Sequence, residues 1–213
     1  SREHQDQLAL ASHMNAAKAW QSGFYSDLVV PYRGAERDNN VRTDTSYDKL
    51  AALKPVFDKT GKGTLTAGNS TPLTDGAAAV LLASEVWARK KNLPIAAWLT
   101  YCKVAAVDFI DADGLLMAPA YAVSDMLKAA NLRLQDFDFY EIHEAFAAQT
   151  IATLKAWQSE KFCREKLPHD LAEVLLHVLR GVELLPFTGG DEEIAVRVES
   201  DAMPVMTAAA HLG

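Results

Sequence analysis

Four stretches of this sequence carry residue types that could do chemistry, and each also has a plainer explanation. The first is Tyr140-Glu141-Ile142-His143-Glu144-Ala145-Phe146. Hydrophobic alternation over residues 136–142 predicts a strand, and Ala147, Ile151 and Leu154 on one side predict a helix that His143 opens. At such a junction the carboxyl end of a strand meets a helix N-terminus, where backbone N–H groups and the helix dipole favour negative charge. A histidine there can donate a hydrogen bond to an oxyanion or hold a water. It can equally be a capping or packed side chain, and periodicity alone favours that plainer reading.

The second stretch is Gly63-Thr64-Leu65-Thr66-Ala67-Gly68-Asn69-Ser70-Thr71-Pro72, followed by Asp75-Gly76. Small residues let a backbone approach a ligand closely, and the hydroxyls offer hydrogen bonds. No Gly-Lys-Ser/Thr closes it, so it is not a phosphate-cradling P-loop. By composition it is an ordinary turn. The third group is the two cysteines, Cys102 within a predicted strand and Cys163 late in a helical stretch. A nucleophilic thiol needs a depressed pKa, and a helix C-terminal position raises it instead. Both read as structural or incidental thiols. Last, His4, His13, His169, His177 and His211 show no metal-ligand spacing and read as surface or interface residues, so no metal is expected.

The elements that must position these residues alternate. An amphipathic helix with Leu10, Met14 and Ala17 on one face carries Arg2, Glu3 and Asp6 near its start and stops at Gly23. Residues 28–31 read as a strand or edge segment, residues 33–47 as a polar surface loop, and residues 50–57 as a helix. A buried strand at 77–83, a helix at 85–91 and a strand at 95–104 follow. The Asp- and Gly-rich loop 108–114 leads to a helix begun by Pro119, with Val123, Leu127 and Ala130 sharing a face. Strands alternating with helices at this spacing predict an α/β layered fold with an at least partly parallel sheet. Toward the end, Leu171, Val174 and Val178 suggest a helix, Gly189-Gly190 a turn and residues 194–198 a strand.

Bulk properties bound the class. The chain has 213 residues, 49% hydrophobic and 23% charged, enough for a sizeable core and too apolar for wholesale disorder. A net charge of −7 argues against nucleic acid as a partner, although Arg89, Lys90 and Lys91 form a local basic patch. No apolar run is long enough for a transmembrane helix, and no secretory layout opens the chain. Two distant cysteines suit a reducing compartment. Because the sequence opens in helix-like text without an initiator Met, the native start is expected upstream.

Taken together and in order, SREHQDQLALASH, GTLTAGNSTPLTDGAAAVLLAS and FYEIHEAFAAQTIA resemble the central region of the thiolase family over residues 1–167. Most thiolases have Asn-Glu-Ala-Phe where this chain has His143-Glu144-Ala145-Phe146. The His form, with Asp38-Asn39-Asn40-Val41-Arg42, is similar to the β-subunit thiolases of fatty-acid oxidation complexes. The resemblance implies a layered thiolase-like fold, with residues 1–92 as the latter part of the N-terminal domain and its loop region. Residues 93–167 would begin the C-terminal domain, and residues 168–213 would be a divergent tail.

It further implies thiolysis of 3-ketoacyl-CoA by free CoA, or the reverse condensation, with CoA as substrate and no resident cofactor. His143 would serve the oxyanion site and Phe146 the acyl pocket. Ala67, Ser70 and Thr71 would run beside the pantetheine arm of CoA. A homo-oligomer, a hydratase/dehydrogenase α-subunit as partner, and a cytoplasmic location (mitochondrial in a eukaryote) belong to the same expectation.

The family's nucleophilic Cys would lie before Ser1, and neither Gly-His-Pro nor Cys-x-Gly occurs in the chain. The chain alone is therefore expected to be incomplete and inactive. The alternative is a non-catalytic thiolase relic that binds CoA or acts as an interaction module.

Overall fold

The computed structural model describes residues 1–167. The reading of residues 168–213 lies outside them. Six α-helices occur among the described residues: α1 Arg2–Gln21, α2 Tyr47–Ala51, α3 Glu85–Lys90, α4 Ala118–Ala130, α5 Ala147–Gln158 and α6 Glu160–Lys166. Four of them start the same way. The hydroxyls of Ser1, Ser46, Ser84 and Ser159 accept the N–H of the residue three places on, at the heads of α1, α2, α3 and α6. A serine cap satisfies one orphan N–H and contributes about 1 kcal/mol. Helix α4 instead has Pro119 in its first turn, as expected, and ends on Asn131 in the left-handed conformation.

The structure divides into two compact units. Among the described residues, 1–72 with 144–151 form one, and 73–143 with 152–167 form the other. The second unit holds the hydrophobic core. Ala120 and Leu127 of α4 pack with Leu134, with Ala156 and Trp157 of α5, and with Cys163 and Leu167. The indole N–H of Trp157 donates to the Ala120 carbonyl at 3.3 Å, so its one polar group is paired. The expected α4 face is partly realised: Leu127 is fully buried and Val123 packs against the cluster, but Ala120 and Ser124 complete it where Ala130 was expected.

The Asp- and Gly-rich loop closes on itself and on two helices. Asp108 accepts the N–H groups of Ile110 and Asp111, and Gly114 takes a φ of +96° that suits glycine. Asp113 then accepts the Tyr121 hydroxyl from α4 and faces Lys166 Nζ of α6 at 3.2 Å. Burial, followed by the Asp113 hydrogen bond, pushes the Tyr121 phenol up to about 12.

Several sequence expectations are corrected. No strand ladder forms among the described residues; residues 28–31, 77–83, 95–104 and 136–142 lack one. Residues 77–83, expected to be buried, are exposed, with Val80, Leu81 and Leu82 at 67–72%. A strand has no internal hydrogen bonds and exists only against a neighbour. Propensity therefore marks these segments without pairing them. The expected helix at 50–57 is α2, earlier and shorter, because Ser46 caps it and Pro55 opens a bridge to Thr66 instead.

Helix α1 differs in its buried face. Met14 is exposed, whereas Gln5, Asp6 and Ala17 are buried. Cys163 does have a raised pKa, but the cause is burial. Its sulfur sits within 3.6 Å of the Ala156 and Trp157 carbonyls. Thiol reagents should therefore modify exposed Cys102 and leave Cys163 untouched until the protein is denatured, which mass spectrometry of labelled peptides would read. Equal labelling of both in the folded protein would contradict the buried core around Cys163.

Candidate functional site

The small-residue loop and the segment after His143 meet within the first unit. Ser70 and Phe146 form an antiparallel bridge; Thr71 N–H donates to the Ala145 carbonyl at 2.9 Å, and Ala147 N–H to the Asn69 carbonyl at 3.0 Å. The segments predicted separately as a turn and a strand-to-helix junction thus pair with each other. The Phe146 ring stands edge-on to Phe57, with centroids 5.8 Å apart. At the head of α5, the Phe146 carbonyl receives the Thr150 N–H at 3.1 Å.

Beneath the loop lies a buried polar network. Asn69 donates from Nδ2 to Asp6 Oδ1 at 2.9 Å and to the Thr64 carbonyl at 3.1 Å, while its Oδ1 accepts the Thr66 N–H at 2.8 Å. Arg2 donates to the other Asp6 oxygen at 2.7 Å, and to the Leu50 and Leu53 carbonyls at 2.8 and 3.0 Å. Asp6 and Thr66 are 0% exposed and Asn69 3%. Gly68 lies close to two leucines: a Cβ there would lie 2.6 Å from both Leu50 Cδ2 and Leu53 Cδ1, so those side-chain ends would have to shift. Next to Asn69 in the chain, the buried Ser70 hydroxyl has no hydrogen-bond partner among the described residues.

Of the sequence-predicted site residues, Ala67, Ser70, Thr71 and Phe146 all belong to this unit, and Ala67 and Thr71 are exposed. His143 belongs to the second unit, is exposed, and precedes the first residue of α5 by four positions. That corrects the expectation that His143 itself opens the helix. The bend at Ala145 and the bridge at Phe146 use the intervening backbone for pairing, so the helix starts only at Ala147.

Asp6 and Ser12, which reach these segments from α1, are not picked out by sequence patterning, and Asn69 lies in the singled-out stretch with no role assigned to it. The one local signal is the i,i+4 spacing of Arg2 and Asp6. Ser12 Oγ donates to Glu144 Oε2 at 2.6 Å, a pairing across 132 residues that no local pattern encodes. No group of three or more His, Cys, Asp or Glu suited to a metal occurs among the described residues. No helix there is long and apolar enough to cross a membrane.

His13 also does more than sit on the surface. Its Nδ1 accepts the Arg42 N–H at 3.2 Å, tying α1 to the loop. Burial, with the Arg42 charge adding and Asp38 opposing, lowers its pKa. A depressed base binds protons more weakly folded than unfolded. Stability is therefore complete above the unfolded imidazole value, about 6.5, and falls as pH drops through the lowered folded value. Thermal melts between about pH 7.5 and about pH 5 should show this loss, and the His13→Gln variant should show less of it. An identical pH slope in that variant would remove His13 from the account.

The geometry describes a small-residue loop paired with the backbone at the head of α5, and comparisons with known proteins place the chain in an α/β fold class. The thiolase N-terminal domain family matches residues 1–86, and the thiolase C-terminal domain family residues 93–169. This chain belongs to the thiolase family.

It is 47% identical over 178 residues to a 3-ketoacyl-CoA thiolase of Yersinia pestis (strain Pestoides F), covering 81% of this chain and 40% of that protein. A 3-ketoacyl-CoA thiolase of Alteromonas mediterranea is 45% identical over the same shares. The chain thus spans about two fifths of the length of these relatives. Among solved structures, Bacillus anthracis acetyl-CoA acetyltransferase superposes with a TM-score of 0.65 at 36% identity, over 81% of this chain and 43% of that one. Human mitochondrial 3-ketoacyl-CoA thiolase in complex with CoA gives 0.65 at 34%, over 73% and 39%. These likenesses establish the layered α/β thiolase-like fold class as a partial one, which the unpaired segments above do not by themselves display.

Proposed function

We propose that this chain is the portion of a thiolase-type acyltransferase that receives the pantetheine arm and thioester oxygen of 3-ketoacyl-CoA, during thiolysis by free CoA or the reverse condensation. The observation carrying this reading is the pairing of residues 69–71 with residues 145–147, which joins the small-residue loop to the segment following His143. Exposed Ala67 and Thr71 offer backbone and a hydroxyl to the pantetheine amides, and Ser70 between them holds the loop to Phe146 through its bridge. Phe146 lines the acyl side. The His143 imidazole donates to the thioester oxygen, where enolate charge develops as the α-carbon loses its proton. Such a donor contributes about 3–4 kcal/mol to the barrier reduction when its geometry is fixed.

Neither Gly-His-Pro nor Cys-x-Gly occurs in these 213 residues, so acyl transfer to sulfur and proton movement at the α-carbon fall to residues the sequence does not contain. In this reading CoA is substrate and no resident cofactor takes part. The names of the relatives support 3-ketoacyl-CoA as the substrate class, and the reading places that thiolysis in fatty-acid β-oxidation, in the cytoplasm or in the mitochondria of a eukaryote. Exposed Phe24, Leu28, Val30 and Tyr32 favour association, as a homo-oligomer or with a hydratase/dehydrogenase α-subunit.

A thiolysis assay on the purified chain, with acetoacetyl-CoA and a long-chain 3-ketoacyl-CoA, should give no turnover, while calorimetry should detect CoA binding. Turnover would mean that Cys102 or Cys163 substitutes for the nucleophile. Absence of CoA binding by the folded chain would overturn the site.

A further inference from the structure

The buried carboxylate of Asp6 needs a reason. It is fully buried, five residues into a helix whose other buried residues are Gln5 and Ala17. Burying a charge is costly unless every oxygen is paired, and here each has one strong partner: Arg2 Nε at 2.7 Å on Oδ2 and Asn69 Nδ2 at 2.9 Å on Oδ1. Arg2 is itself anchored on the Leu50 and Leu53 carbonyls at the end of α2, so the pair is fixed from both sides.

What this holds in place is Asn69. With Nδ2 directed to Asp6 and Thr64, the amide orientation is set, and Oδ1 must face the Thr66 N–H. The Asn69 backbone carbonyl then receives Ala147 N–H, the first residue of α5. The side chain of Asn69 thus fixes residues 64–69 from within, and the backbone of the same loop, through the Asn69 carbonyl and the Thr71 N–H, pairs with Ala145–Ala147 next to the buried Ser70 hydroxyl.

We propose that Asp6 is a positioning residue: acting through Asn69, it pre-organises the loop of residues 64–71 against the head of α5 for binding the pantetheine arm. It touches no ligand itself. The ligand part rests on the proposed function; the positioning part does not.

The test is Asp6→Asn. An amide has one acceptor oxygen, so either Arg2 or Asn69 must face an NH2 group. Amide hydrogen exchange should accelerate about tenfold or more at Thr66 and Ala147, with Ser124 and Leu127 of α4 unchanged, as expected when a hydrogen bond to a charged group is lost locally. CoA affinity should fall by about tenfold, measured at a temperature where melts show the variant fully folded.

Wild-type exchange at Thr66 and Ala147 in folded Asp6→Asn would overturn the proposal. So would a uniform loss of protection across α1, α4 and the loop, which marks a merely structural role. Should Asp6→Asn fail to fold, Asn69→Ala keeps the Arg2–Asp6 pair. Ala147 is then the readout, because its acceptor is the Asn69 backbone carbonyl that the substitution retains; unchanged exchange there overturns the proposal. If the wild-type chain binds no CoA, the proposed function fails, and the exchange measurements still decide the positioning.

Discussion

In an active thiolase polypeptide that carries this segment, His143→Ala should lower kcat by about 10²–10³-fold, the cost of removing one oxyanion donor. KM for the CoA substrate should change far less, because the proposed donor acts where enolate charge develops and not on the pantetheine arm. His143→Asn should recover much of the loss, since its side-chain N–H can donate to the same oxygen and the family most often has Asn at this place. His143 is exposed, so its replacement removes little packing and the melting temperature should hardly move. Steady-state kinetics of the three proteins decides the matter. Unchanged kcat in His143→Ala would remove His143 from the oxyanion site, and a large rise in KM alone would make it a binding residue.

The second large effect concerns the second unit. Trp157→Ala should destabilise it by about 3–5 kcal/mol, the range for deleting a buried aromatic. The indole is 5% exposed, lies in the cluster with Ala120, Leu127 and Cys163, and donates to the Ala120 carbonyl. Its loss leaves a cavity and removes one hydrogen bond, while the Ala120 carbonyl keeps the Ser124 hydroxyl at 2.8 Å. Trp157→Phe refills most of the volume but not the hydrogen bond, so it should cost less than the alanine. Urea denaturation followed by far-ultraviolet circular dichroism would give both values. A loss under about 1 kcal/mol for the alanine would mean that α5 does not anchor this core.

Local chemistry made the helices legible and left the pairings hidden. Pro119 starts α4 and Gly23 follows the end of α1 because a fixed φ and a permitted positive φ act within a turn of chain. The helix at residues 85–90 is equally readable, and Ser84 caps it for the same local reason. The boundaries at residues 47–51 and at Ala147 were not readable. They depend on where Pro55 and Phe146 find bridge partners, Thr66 and Ser70, and the second pairing joins residues 76 positions apart. The apolar segments 77–83 and 95–104 have the composition of strands, and composition cannot supply the neighbour that a ladder requires.

The candidate site divides the same way. By itself the sequence determined the family, through three long motifs in order, and named Ala67, Ser70, Thr71, His143 and Phe146 as the residues to watch. Tertiary structure alone decided that Ser70 meets Phe146, that Ser12 meets Glu144, and that a charged residue of α1 lies wholly inside. The physical reason is that a carboxylate's burial is set by the partners that pay its desolvation. For Asp6 the decisive one, Asn69, is 63 residues away in the chain and 2.9 Å away in space.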